Sequence, residues 1–173
     1  PAGLAAANDL ALKGHNVTVF EALPEPGGML RVGIPEYRLP KEIVRQETSY
    51  IQKLGVEIRT GVQVGKDITL EEIKRGYDAV FIGIGAHGGM RLRVEGEDLT
   101  GVVEGIRFLR EVNLGEKVEI GKKTAVIGGG NTAVDCARTA KRLGAEDVKI
   151  VYRRSRSEMP ASAEEVAAVE EEG

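Results

Sequence analysis

The residues best suited to chemistry lie at 126–137 and 151–156. The stretch "VIGGGNTAVDCA" leads from an apolar run through three glycines into a helical pattern, and within it Gly128, Gly130 and Ala133 form G-x-G-x-x-A. In a dinucleotide-binding turn the first glycine makes the tight bend. The second removes a side chain so that the backbone can approach a pyrophosphate, and the third small residue lets helix and strand pack closely. The helix that opens there offers free N–H groups and a partial positive charge to phosphates. The competing reading is a glycine turn that only closes a strand–helix corner.

Twenty residues beyond Ala133 stands Arg153, followed by Arg154 and, nearby, Arg156. An acid at the end of this second strand would accept hydrogen bonds from both ribose hydroxyls and favour NAD. A guanidinium holds a 2′-phosphate by paired hydrogen bonds, so the arginines argue for NADP(H). Alternatively they form a solvated cluster, or pair with Glu158 and the acids after residue 163. A second, partial signal opens the chain. "PAG" can be the end of G-x-G-P-A-G, with Gly3 as the third small residue. Eighteen residues later Glu21 ends the strand "VTVF", where a ribose-binding acid belongs. That unit suits an unphosphorylated adenosine ribose, as in FAD or NAD, unless Glu21 is simply a polar strand end. One site with an acid and one with arginines suggest FAD plus NADPH, and hydride transfer from nicotinamide to flavin. Such a transfer needs no protein acid, base or metal, because the cofactor carries the chemistry. No catalytic residue and no metal ligand is therefore assigned.

The elements that must position these residues read as follows. Residues 1–15 are helical, with Leu4, Ala7, Leu10 and Ala11 at helical spacing and Gly14 as C-terminal cap. "NVTVF" is a strand. Residues 22–40 form a loop rich in proline and glycine, a length that is uncommon without a function. Residues 41–54 are helical with Ile43, Val44, Ile51 and Leu54 on one face. "VEIRTGVQV" is a strand or hairpin, "ITLEEIKRG" a short helix with a Thr69–Glu72 capping box, and "DAVFIGIGA" an apolar strand. Residues 87–121 are irregular apart from a helix at 102–112 and hold the domain boundary. The strand–turn–helix–strand theme then repeats at 123–154. The predicted fold class is α/β: two Rossmann-like, three-layer dinucleotide-binding domains with a parallel sheet between helices. Residues 1–90 form the FAD-binding domain and 91–173 the NADP(H)-binding domain, both incomplete.

Composition narrows the function further. The chain has 173 residues, 42% hydrophobic and 29% charged, with net charge −3. No basic field exists to neutralise nucleic-acid phosphates, and 4% aromatics without Trp leave no stacking platform. Apolar runs fall short of a membrane span. The single cysteine, Cys136, excludes an internal disulfide, a CxxC pair and a self-contained iron–sulfur cluster, and suits a reducing, cytoplasmic setting. Its helix face, shared with Ala133, Ala137 and Ala140, marks it as a small core residue. His15 and His87 have no partner pattern.

The chain begins at Pro1 in what reads as helix and stops in another helical pattern, as a piece cut at both ends would. The first strand of a 3-2-1-4 sheet is central. Without it, "NVTVF" and "DAVFIGIGA" each lack a parallel neighbour, and residues 1–90 are expected not to form a stable unit as an isolated polypeptide.

Three stretches together resemble the small chain of NADPH-dependent glutamate synthase: "PAGLAAANDLALKGHNVTVFEALPEPGGMLRVGIPEYRLP", "DAVFIGIGA" and "VIGGGNTAVDCARTAKRLGAEDVKIVYRRSRSEMPAS". The same module is similar to the flavin domain of dihydropyrimidine dehydrogenase and to the large subunit of the electron-bifurcating NADH-dependent ferredoxin:NADP oxidoreductase. The resemblance implies FAD in the first domain. Glu21 would bind its ribose, Gly28, Met29 and Leu30 would line the flavin loop, Arg38 would lie close to the flavin or its phosphates, and Val64 would contact the adenine side through its backbone. It implies NADPH in the second, with Gly129, Gly130, Asn131 and Thr132 holding the pyrophosphate and Arg153 and Arg154 the 2′-phosphate. It further implies electron transfer to iron–sulfur clusters in regions outside this sequence, in a larger catalytic subunit or in fused domains. The alternatives are the bifurcating complex and a non-catalytic nucleotide-binding scaffold.

Overall fold

The computed structural model describes residues 1–173. The chain folds as two compact units, Pro1–Ala86 and His87–Gly173. Each is an α/β arrangement built on one pair of parallel strands.

In the first unit, helix α1 (Ala2–Leu12) leads into β1 (Thr18–Glu21). A short helix α2 (Met29–Val32) and helix α3 (Lys41–Lys53) precede β2 (Glu57–Thr60), and α4 (Leu70–Gly76) follows. Strands β1 and β2 pair in parallel from Thr18–Glu57 to Glu21–Thr60. Ala7 of α1, Ile51 of α3 and Val56 form the core, with Val19 and Ile58 of the strands packed against it. On the other face Phe20 meets the edge of Tyr77 at 6.0 Å between ring centroids. Helix α4 carries the capping box read from the sequence: Thr69 Oγ1 accepts the Glu72 N–H, and the Glu72 carboxylate accepts the Thr69 N–H.

In the second unit, α5 (Gly105–Asn113) precedes β3 (Lys123–Ile127), α6 (Asn131–Arg142), β4 (Asp147–Val151) and α7 (Ala163–Glu171). Strands β3 and β4 are parallel, in register from Lys123–Asp147 to Ile127–Val151. Helix α6 is the hub. Cys136 and Ala140 pack on Phe108 and Leu109 of α5, and Val134 packs on Ala161 and Val166 of the α7 segment. Small residues along α6 permit that crowding, because close packing of helix on strand needs short side chains at the contact.

Several expectations need correction. Residues 78–86, the expected strand "DAVFIGIGA", have no ladder partner, and Phe81, Ile82 and Ile84 are exposed. An apolar run becomes a strand only when a neighbour supplies hydrogen bonds. The loop 22–40 contains α2. The buried face of α3 is Lys41, Val44, Thr48 and Ile51, while Ile43 points to solvent. Helix α5 starts at Gly105, where the Glu104 carboxylate caps the N–H groups of Ile106 and Arg107. Finally, the expected layer on each side of the sheet is not present in the second unit: α6 covers Val126, Val148 and Ile150, whereas Ala125, Ile127 and Val151 on the other face are exposed.

Candidate functional site

The two parallel strands of the second unit end side by side, Ile127 opposite Val151. The chain turns off each at the same edge. The Gly128 N–H donates to Val151 O at 3.0 Å, so the glycine turn and the arginine loop are tied where they leave the sheet. Ala133 fills the role expected of the small third residue: its Cβ lies 3.3 Å from where a Gly128 Cβ would stand. A Cβ on Gly130 would meet only open space. The N–H groups of Gly129, Gly130, Asn131 and Thr132 find no acceptor in the chain, and no side chain caps α6. These four donors and the open face above Gly130 suit a pyrophosphate, whose oxygens need several donors and close backbone approach.

The arginine loop divides its charges unevenly. Arg156 pairs with Glu170 at 2.6 Å. The Glu158 carboxylate instead accepts the Ser155 hydroxyl and N–H, at 2.7 and 3.2 Å, and the hydroxyl holds its pKa below the ordinary value. The other acids after residue 163 are drawn to α6: Glu165 and Glu172 pair with Arg138, and Glu172 also with Arg142. The Arg142 and Arg138 guanidiniums hold the Glu172 carboxyl at about 2. Arg153 and Arg154 are exposed and form no ion pair. The competing reading, in which they pair with Glu158 or the later acids, does not hold. A cavity of about 420 Å³ opens beside Arg154, but α6, α7 and β4 line it, away from the turn. The unpaired N–H groups lie on the turn and not in that cavity. Cys136 is buried, and burial pushes its thiol up to about 12, which disfavours the thiolate.

In the first unit two glycine segments converge on the N-terminus of α1, which itself carries Gly3. A Cβ on Gly28 would stand 3.1 Å from Pro1 Cδ, and one on Gly83 would lie 3.0 Å from Gly3 N. Gly28 also has φ of 56° and ψ of −134°, a conformation that disfavours any side chain. Glu21, at the end of β1, accepts the Leu23 N–H at 2.9 Å through one carboxylate oxygen. Met29 and Leu30 begin α2 just after Gly28. Arg38 is exposed on the turn 35–39, and Val64 is exposed beyond β2, bridged only to Ile68. The first unit thus brings Gly28 and Gly83 to the Pro1–Gly3 end of α1, while Arg38 and Val64 stand at its surface.

Two positions gave no sequence signal or an overlooked one. Lys41 is buried, its Nζ donating to the carbonyls of Leu30 and Ile34 at the end of α2, and burial pushes its pKa down. Its N–H, the first of α3, donates to the Glu36 carboxylate. A lysine is rarely buried, so nothing in "RLPKEIV" singled it out. Tyr152 was legible: it continues the inward alternation of Val148 and Ile150 along β4.

Parallel strands joined through a helix, with a glycine turn at their carboxyl ends, define a protein of the dinucleotide-binding class. The comparisons with known proteins narrow it. The profile of the pyridine nucleotide-disulphide oxidoreductases matches residues 1–173, and the chain belongs to that family. It is 53% identical to the NADP(+)-dependent formate dehydrogenase subunit beta of Moorella thermoacetica and 51% identical to the NADPH-Fe(3+) oxidoreductase subunit beta of Geobacter sulfurreducens. It is 39% identical to the glutamate synthase [NADPH] small chain of Escherichia coli, which bears out the resemblance read from the sequence. All of this chain is covered in each case, against 25%, 26% and 39% of those proteins, so it spans about a quarter of the first two. FprA from Mycobacterium tuberculosis, as its His57Gln mutant, superposes with a TM-score of 0.76 at 25% identity, covering 98% of this chain and 44% of that one. No helix is long and apolar enough to cross a membrane.

Proposed function

We propose that this chain is the nucleotide-binding core of a flavoprotein oxidoreductase that passes a hydride from NADPH to FAD, and electrons onward to iron–sulfur clusters in a larger partner or in fused domains. The observation that carries it is the pair of unpaired guanidiniums, Arg153 and Arg154, beside a glycine turn whose four N–H groups are unspent, in a loop where Arg156 and Glu158 are already engaged. Gly129, Gly130, Asn131 and Thr132 would hold the NADPH pyrophosphate, and Arg153 and Arg154 its 2′-phosphate. In the first unit, Gly3, Gly28, Met29 and Leu30 would line the FAD site. Glu21 would accept a ribose hydroxyl, with Arg38 near the flavin or its phosphates and Val64 toward adenine. When bound, the nicotinamide supplies the hydride and the flavin accepts it. This chain's residues bind and orient, and none need move a proton. Relatives 53% and 51% identical to this chain are beta subunits named for formate dehydrogenase and iron(III) reduction, which supports a multi-subunit setting in which the terminal acceptor belongs to the partner.

The test uses the full-length protein. Bound-flavin absorbance should bleach on anaerobic addition of NADPH and far more slowly with NADH. A colourless protein, or one bleached equally by both, would overturn the proposal.

A further inference from the structure

The loop between β4 and α7 is fastened to Gly129 from both of its ends. At one end the Tyr152 ring lies against the Gly129 backbone, so closely that a Cβ there would stand 2.6 Å from Tyr152 Cδ2. At the other the Ala161 N–H donates to Gly129 O at 3.0 Å, and the Ser162 N–H reaches Asn131 Oδ1 at 3.4 Å. The loop is braced internally as well. The Tyr152 hydroxyl donates to Glu158 O at 3.1 Å, and Ser155 holds the Glu158 carboxylate. Met159 packs beside Val134, Ala161 and Val166. Arg153 and Arg154 are the two residues between these braces, directly after Tyr152.

The ribose and its 5′-methylene confine the pyrophosphate and the 2′-phosphate of one dinucleotide to a narrow range of separations. A protein that binds both must hold its two anion subsites at a matching separation, because flexible arginines would lose ordering entropy on binding. We propose that Tyr152 is a positioning residue for nicotinamide-dinucleotide specificity: its ring rests on the pyrophosphate turn and its hydroxyl anchors the arginine loop, so it sets the spacing between the two phosphate subsites. This rests on the assignment of Gly129–Thr132 and Arg153–Arg154 to NADPH. It adds that the preference for the 2′-phosphate depends on a residue that touches neither phosphate. The carboxylates that could compete for Arg153 and Arg154 are kept away by the same bracing, since Glu158 is held by Ser155 and Glu170 by Arg156.

The test is steady-state flavin reduction by the full-length holoenzyme with NADPH and with NADH. Tyr152→Phe keeps the ring on Gly129 and removes only the bond to Glu158 O. Ser155→Ala removes the shorter of the two bonds that hold the Glu158 carboxylate, leaving it only the residue-155 N–H, without touching Tyr152. Each should lower the NADPH-to-NADH ratio of kcat/KM about fivefold, the size of one net hydrogen bond. The loss should lie in KM for NADPH, with kcat and all NADH parameters within about twofold. In an Arg153→Gln/Arg154→Gln background Tyr152→Phe should no longer change the ratio, because the subsite it positions is gone. A purely structural tyrosine would weaken both cofactors alike. If Tyr152→Phe and Ser155→Ala leave the ratio unchanged while the arginine variants lower it, the positioning role is refuted and the NADPH assignment stands. If the arginine variants leave it unchanged too, both fall.

Discussion

The two units start from the same plan, a helix and a pair of parallel strands, and finish differently. In the second, β3 and β4 are joined through α6, and the glycine turn lies between them with its donors free. In the first, β1 pairs with β2 on one side only, and the apolar residues 78–86 run past Gly3 without a ladder. The charge pattern is reversed as well. The first unit ends its strand in a carboxylate, Glu21, while the second follows its strand with two unneutralised guanidiniums. One backbone scheme therefore presents opposite charges at corresponding strand ends, set by one or two residues.

The sharpest way to break that contrast is to reverse the charge of the second unit. Arg153→Glu/Arg154→Glu should lower kcat/KM for NADPH about a hundredfold, the size expected for losing two charge-assisted hydrogen bonds, and raise the relative use of NADH. Steady-state kinetics with both cofactors checks it, and an unchanged preference would remove the basis for NADPH.

Neighbouring glycines offer the next test. Gly129→Ala should destabilise the protein by about 2 kcal/mol, since its methyl would overlap the Tyr152 ring. Gly130→Ala, pointing into open space, should leave the melting temperature nearly unchanged yet weaken NADPH binding. Calorimetry alongside a binding titration separates the two effects.

A third comparison sets the unpaired segment against β3. In the 173-residue polypeptide, amides 80–84 should exchange with solvent almost as fast as in an unfolded peptide, while those of Thr124 and Val126, which face β4, are protected. Slow exchange at 80–84 would mean that another pairing closes the first unit.

The smallest expected effect concerns acid. Glu25 in the first unit is held at about 2 by the Arg31 and Arg45 guanidiniums, and Glu172 in the second at about 2 by Arg142 and Arg138. Both folded values lie below the ordinary 4.5, so the stabilisation is complete above that pH and is lost as the pH falls toward 2. Glu25→Gln and Glu172→Gln should each flatten the acid limb of stability, Glu25→Gln through the first unit and Glu172→Gln through the second, as read from denaturant midpoints at pH 3 to 6.

What the sequence determined by itself was local. The Thr69–Glu72 capping box, the Gly128–Ala133 turn and the contrast of acid and arginine at two strand ends are each settled within a few residues, because caps and tight turns depend on near neighbours. Tertiary structure decided the rest. Lys41 is buried because the carbonyls at the end of α2 are there to receive it, and no property of lysine predicts that. Residues 78–86 are apolar and β-branched, yet a strand requires a partner's hydrogen bonds, which no local pattern supplies. Arg153 and Arg154 stay available only because Glu158 turns to Ser155 while Glu165, Glu170 and Glu172 are claimed by other arginines. Ion pairing depends on which groups the fold brings within about 4 Å of each other, and in this chain those groups lie up to 34 positions apart.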